Sequence, residues 1–496
     1  MGRKITFAVW LQLASSLALA AAAAEIGPAA QGGYERAIAD YTQALEANPR
    51  DKAARFNRGF AHQGSGRYDE AIADYTEALE IAPEDKIYFN RGLSYQRMSR
   101  YDKAIADYDK ALELNPAYVD AYFNRGVSRL QRQEYDPAIA DFTRAIEINP
   151  EDAKAFNGRG FAYQKKGQAD EALSDYDRAV DLDPKFTEAY LNRGSFFLGR
   201  HAFDEAISDF TQAIELSPEN LNTYHSRGVA YDQQGRIDLA LADYRHALEI
   251  DPRYALAHFN RGAIFHRLGQ FDEALASYTM ALEINPGLRE AYTGRAEVYF
   301  FQREYEKVWP ELDRAEALGY RVPAKFFDRA IADFTEAVVA DPGDAEAYLR
   351  RALVYRRNEQ YAEALADYDK ALEINPTQAA AYLNRGLIQR SIGRADLALA
   401  DFAEALKINQ RYVQAHLQRG HVFLVIGLYD EAVSHYSKAL EIDPSRQQIY
   451  VNRALAYFGQ KEYDNAWQDV HRVESMGYQV EADFLAKLRK ESGREN

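Results

Sequence analysis

The chain has 496 residues, 27 % of them charged and 47 % hydrophobic, with 60 Lys+Arg against 76 Asp+Glu and a net charge of −16. That composition excludes a disordered or collagen-like chain, and the acidic balance repels a phosphate backbone, so no nucleic-acid partner is expected. The absence of cysteine removes disulfides, thiolate nucleophiles and Cys-ligated metals together.

The first elements are a short basic segment, Gly2-Arg3-Lys4, and an apolar run over 5–24 broken only by Gln12, Ser15 and Ser16. Small residues crowd the end of this run (Ala18, Ala20 to Ala24), which is the layout of a secretory signal peptide cut just before Glu25. Residues 1–24 are therefore expected to direct export to the periplasm or the exterior, with 25–33 as a linker. The competing reading is an uncleaved anchor over 5–24, which is just long enough to span a bilayer. No second apolar run of that length follows, so membrane contact is expected only through this segment.

From residue 34 onward the chain repeats itself. Pro49, Pro83, Pro116, Pro150, Pro184, Pro218, Pro252 and Pro286 follow one another at 34 residues, with a single step of 33 around Glu84-Asp85. The landmark returns at Pro342, Pro376 and Pro444, with Gln410 where a further proline is missing, giving twelve complete units. A fixed period of this size means an array of stacked supersecondary units. Within residues 122–150, small and apolar residues recur three and four apart in two halves, which predicts two helices with a tight break. Ala138, Phe142 and Ala145 fall on one face of the second helix, the alanines permitting close approach and the ring filling the space they leave. Pro150 cannot continue that helix and closes the unit.

These residues resemble the tetratricopeptide repeat, whose signature is an aromatic, Gly, Tyr, Ala, aromatic, Ala and Pro at fixed offsets. The eighth position is Gly in nine units (Gly59, Gly92, Gly126, Gly160, Gly194, Gly228, Gly262, Gly386, Gly420) and Ala in three (Ala296, Ala352, Ala454). The small position of the second helix is Ala in eleven units, with Val308 the exception. The resemblance covers residues 34–478. It implies an all-α fold, a right-handed superhelical solenoid of antiparallel helix pairs.

Two departures from the family pattern stand out. Where the family usually has Leu before the helix-A Gly, all twelve units have Arg: Arg58, Arg91, Arg125, Arg159, Arg193, Arg227, Arg261, Arg295, Arg351, Arg385, Arg419 and Arg453. The second helix carries Asp at Asp74, Asp107, Asp141, Asp175, Asp209, Asp243, Asp367, Asp401 and Asp469. Because Asp40 and Asp333 lie in half-units with no first helix, each Asp is expected to pair with the Arg of the following unit, as Asp40 with Arg58. The alternative is an Arg row that binds an anionic ligand. The second departure is at Leu318-Gly319-Tyr320 and Met476-Gly477-Tyr478, where units end without proline after carrying Trp309 and Trp467 at one offset. Atypical terminal units are what capped arrays need. The expected organisation is a first array over 34–320, a junction with a lone second helix over 321–343, a second array over 344–478, and a capping helix and tail over 479–496.

Chemistry is not legible. The chain has no GxxxxGK[ST], HExxH, GxSxG or strand-flanked GxGxxG. His416 and His421 lie five apart on one helix and on different faces, so neither a metal nor a cofactor is expected, and the chain is not read as an enzyme. What a stack of helix pairs supplies is a concave surface lined by first helices. There, Asn57, Asn90, Asn124, Asn192, Asn260, Asn384 and Asn452 form a ladder interrupted by Gly158, Ser226, Gly294, Arg350 and Gln418. The ladder is similar to that in the repeat domain of O-linked N-acetylglucosamine transferases, which implies a grip on the backbone of an extended polypeptide. A carboxamide pairs with both groups of a peptide unit without reading its side chain. Phe56, Phe89, Phe123 and Phe259, with Leu191, Leu349, Leu383 and Leu417, are expected to flank the ladder as the groove wall, while Phe60, Leu93, Val127, Phe161, Leu353, Leu387 and Leu455 pack between repeats. No Lys or Arg stands in these rows to clamp a terminal carboxylate. The reading is an exported, non-catalytic scaffold that binds protein or peptide segments. Its rivals are an envelope-assembly component using outer surfaces and the regulatory arm of a separate transferase.

Overall fold

The computed structural model describes residues 28–494, every regular element of which is an α-helix. The expected signal segment lies outside the described residues. A helix already begins at Pro28 and runs to Ala47, so residues 28–33 of the expected linker are helical. Cα packing divides the described residues into two compact bodies that part between Arg321 and Val322. In each, helices alternate as a first helix of 13 or 14 residues and a second of similar length, as in Val119–Gln131 followed by Tyr135–Ile148.

The break inside each pair is made by one residue in the left-handed region, always eight after the Arg. Gly66, Gly167, Gly235, Gly269, Gly393 and Gly427 fill it in six units; Ser99, Gln133, His201, Arg303, Glu359 and Lys461 fill it in the others at φ 56–65°. Second helices stop where proline forbids continuation: Asn149 N–H still bonds Ala145 O at 2.8 Å, and Pro150 follows.

Ala138, Phe142 and Ala145 are all fully buried, as are Tyr75, Tyr108, Tyr176, Phe210, Tyr244 and Phe402 at the same offset as Phe142. The signature Gly exists to receive these rings. A Cβ on Gly194 would stand 2.8 Å from the Phe210 ring, and one on Gly59 2.9 Å from Tyr75. Two of the three units with Ala instead, at Ala296 and Ala454, put Leu312 and Val470 where the ring would be.

The ion-pair ladder is present, with a different partner from the one the half-units suggest. Arg58 Nη2 meets Asp74 at 2.5 Å rather than Asp40, which is exposed, and Arg351 meets Asp367 rather than the exposed Asp333. The pair closes within one unit, sixteen residues apart, because the break turns the Arg of the first helix onto the adjacent second helix. Arg193 shows the geometry: Nε to Asp209 at 2.8 Å and Nη2 to its other oxygen at 2.7 Å. Coupling between units comes from the remaining nitrogen. Arg193 Nη1 donates to Asp177, Arg159 to Thr143, Arg227 to Thr211 and Arg453 to Ser437, each on the preceding second helix. The Arg hydrogen bond to Asp107, Asp141 and Asp209 is opposed by burial, which pushes those carboxyls up. Arg91 and Arg159 are held above the usual guanidinium range by their bonded Asp.

At the C-terminus, the helix Ala482–Ser492 lies on the last second helix, Tyr463–Ser475. It buries Phe484 and Leu488, and Phe484 sits edge-on to Phe458 at 5.8 Å. Trp467, itself buried, donates Nε1–H to Ser492 Oγ at 3.1 Å.

Candidate functional site

Within each body, successive first helices approach one another more closely than successive second helices do, so the first helices line the inner face. On that face the carboxamides occupy three different environments. Asn90, Asn124 and Asn384 are half-buried and turn their Nδ2 back onto the carbonyl four residues earlier (Lys86, Asp120 and Ala380, at 2.7, 2.8 and 2.8 Å), which leaves Oδ1 outward. Asn192 and Asn260 reach sideways to the preceding unit, donating to Asn157 Oδ1 at 3.0 Å and to His225 Nε2 at 2.8 Å. Asn260 is buried and its Oδ1 meets no partner. Asn452 is buried too, accepting from Gln448. The row is therefore not one uniform ladder: its outward-facing stretch is Asn57, Asn90 and Asn124, and it recurs at Asn384.

The first apolar row is core rather than groove wall, while the second packs as expected at Val127, Phe161, Leu353, Leu387 and Leu455 and is open only at Phe60. Phe56, Phe89, Phe123 and Phe259 each lie 5.7–5.9 Å from the buried ring of their own unit, Tyr75, Tyr108, Phe142 and Tyr278. They are core pillars, not groove wall: a residue directly before the carboxamide is turned about 100° around the helix, toward the second helix. Phe259, Leu349 and Leu383 are buried outright. At the start of the row one turn on, Phe60 is the exception and is 53 % exposed. Phe60, Asn57 and Ala61 line a cavity of about 420 Å³ with Gly33, Tyr34, Ala37 and Tyr41 of the opening helix. Tyr34 and Tyr41 are absent from any sequence expectation. Their signal is positional, since a second helix without a first helix of its own leaves the inner side of its rings uncovered.

Among the described residues no cluster of three His, Asp or Glu side chains is arranged to hold a metal, and no helix is long and apolar enough to cross a membrane. His416 meets His435 rather than His421, Nδ1 to Nδ1 at 3.0 Å. Burial and neighbouring cations push His435 down to about 4.

Models described as tetratricopeptide repeat match residues 29–86, 86–118, 153–186, 187–220, 255–288, 345–378, 367–400 and 413–446, and one described as TPR repeat matches 128–167 and 230–269. Together they span more than half of the chain. The chain is a tetratricopeptide repeat protein. Its repeats make it a protein-interaction scaffold of that family. No curated protein matches it. Similar solved structures include YrrB, described as a tetratricopeptide repeat protein with an unusual peptide-binding site (25 % identity, 44 % of this chain and 95 % of that one, TM-score 0.30). MamA from Desulfovibrio magneticus RS-1 is 24 % identical over 34 % of this chain and 97 % of its own, with TM-score 0.32. A tetratricopeptide repeat protein from Parabacteroides merdae is 19 % identical over 50 % and 98 %, with TM-score 0.41.

Proposed function

We propose that this tetratricopeptide repeat protein is a non-catalytic scaffold holding an extended segment of a protein partner along the inner face of its first three units. The observation that carries this reading is the open cavity where Asn57 and Phe60 meet Tyr34 and Tyr41, continued by the outward Oδ1 of Asn90 and Asn124. The carboxamides accept from backbone N–H groups of the segment, and the rings beside Asn57 take an apolar side chain. The basic segment and apolar run over 2–24 support export, so the partner is sought among exported proteins.

In-cell crosslinking with mass spectrometry, comparing the wild type with an Asn57→Ala, Asn90→Ala, Asn124→Ala variant, tests the reading. Partners captured by the wild type and lost by the still-folded variant support it. The same partners persisting in the variant would place binding on the outer surface instead.

A further inference from the structure

Of the twelve ladder arginines, eleven donate to a carboxylate or hydroxyl sixteen residues later, as Arg227 does to Asp243 at 2.8 Å and Arg261 to Ser277 at 3.2 Å. Arg419 alone has no such bond among the described residues, and its Nε is buried without an acceptor. The two places that serve the other arginines hold His435 on the same unit's second helix and Ala403 on the preceding one. Neither supplies an oxygen.

The guanidinium nevertheless stands where it stands in the paired units. Arg159, Arg227, Arg351 and Arg453 lie 5.7–5.9 Å from the centre of the tyrosine ring four residues later. Each of them is bound through Nε and Nη2 by both oxygens of one Asp. Arg419 lies 5.6 Å from the Phe423 ring in the same register. A ring face attracts the charge but accepts no hydrogen bond in the plane of the guanidinium. His435 does not take the place of Asp. Its ring stacks on Phe423, with 5.6 Å between centres and 18° between planes, and its Nδ1 lies 3.0 Å from Nδ1 of His416. His416 donates Nε2–H to the Gln410 carbonyl at 3.1 Å, so its Nδ1 is the lone pair that receives His435 Nδ1–H. Burial holds both rings below the usual histidine range, and the Arg419 and Lys438 charges push them further down. Glu441 acts on His416; on Arg419 burial acts and lowers its pKa, where the Asp-bound arginines are raised.

We infer that Arg419, held over Phe423 between the two helices of the eleventh unit, is a binding site for a carboxylate supplied from outside the chain. The repeats themselves specify the ligand. Nine units place an Asp carboxylate on the guanidinium at this offset, and Nε with Nη2 matches its two oxygens. The carboxylate belongs either to an Asp or Glu side chain of a protein partner or to a small carboxylic acid. The site belongs to the second body and does not depend on the peptide-binding reading of the first three units.

The test is hydrogen exchange of the full chain, read over Val413–Val425 and Tyr429–Ile442, in sodium acetate and in sodium chloride at neutral pH and matched ionic strength. Two variants accompany the wild type. Arg419→Leu removes the guanidinium and installs the residue common in the family, and His435→Asp supplies the carboxylate from within. In the wild type, acetate at about ten times its dissociation constant is expected to slow the opening of these helices about tenfold relative to chloride, with distant units unchanged. Neither variant should respond to acetate. N-acetylglutamic acid α-amide acting at lower concentration than acetate would identify a protein side chain as the source, and equal action a small carboxylic acid. A wild type that responds to acetate no more than to chloride, or a response that persists in Arg419→Leu or in His435→Asp, would overturn the assignment.

Discussion

Replacing Asp209 by Ser copies into the fifth unit the arrangement that the seventh already has, and it isolates what the repeated ion pair contributes. Arg193 is 18 % exposed and Asp209 6 %, joined through two hydrogen bonds, with Asp177 on the third nitrogen. Removing one partner of a buried pair costs about 3–5 kcal/mol because the other charge is left uncompensated. Here Asp177 remains and Arg193 is partly solvated, so the expected loss is at or below the low end, about 2–3 kcal/mol. A long array need not unfold in one step, so the suitable assay is native hydrogen exchange read over Thr187–Gly199 and Phe203–Leu216. The expected change is a roughly 30- to 150-fold faster opening of those helices, with distant units unaffected. The double variant Arg193→Leu with Asp209→Ala removes both charges and restores the Leu common in the family; it is expected to recover most of the protection. Unchanged exchange in Asp209→Ser, or a double variant no better than the single one, would refute the argument that the second helix carries Asp to compensate a buried Arg.

Other predictions follow the same geometry. His225 is buried and pushed down to about 3; the folded chain keeps it neutral while the unfolded chain protonates it below about 6.5. The unfolded state then binds the extra proton, so stability present above pH 6.5 falls as pH drops toward 3, by about 1.4 kcal/mol per pH unit. His225→Leu, the residue at this place in Leu191, should flatten the pH 5–7 slope of thermal unfolding while lowering stability at pH 7, where Asn260 loses its acceptor. Gln133 and Glu359 hold φ of 62° and 58° at the helix break, so Gln133→Gly and Glu359→Gly should each stabilise their unit by about 0.5–1 kcal/mol, read as slower local exchange. Phe484→Ala should free the C-terminal helix, at a cost of about 3 kcal/mol to its docking, seen as rapid proteolysis after residue 478 with the preceding units intact.

The sequence carried the helical pairs, their period and their core because Ala, Gly, ring and Pro recur at fixed offsets, and each has one steric job. The ion-pair partner is not legible for a definite reason: the half-units point to the next unit, but a 34-residue period places an Arg close to two second helices at once. Only three-dimensional turning at the break decides which one supplies Asp and which supplies Thr. The rows of the inner face were harder still. Phe56 and Phe60 are four apart and both apolar, yet one packs on Tyr75 and the other is open, because among the described residues no first helix precedes the first unit to cover Phe60, whereas Val127 at the same offset is buried. The left-handed position eight after each Arg carries no glycine signature because half of its occupants are not Gly.

The third nitrogen of each Arg has a consequence for how such a chain can change in length. Because Thr, Ser and Asp on the preceding second helix all serve it, a whole unit can be removed or duplicated and the new neighbours still find an acceptable seam. The 33-residue step keeps that seam as well, with Arg91 Nη1 reaching Thr76 at 3.0 Å across the shortened connection. Modular growth is therefore open wherever the preceding second helix offers this acceptor.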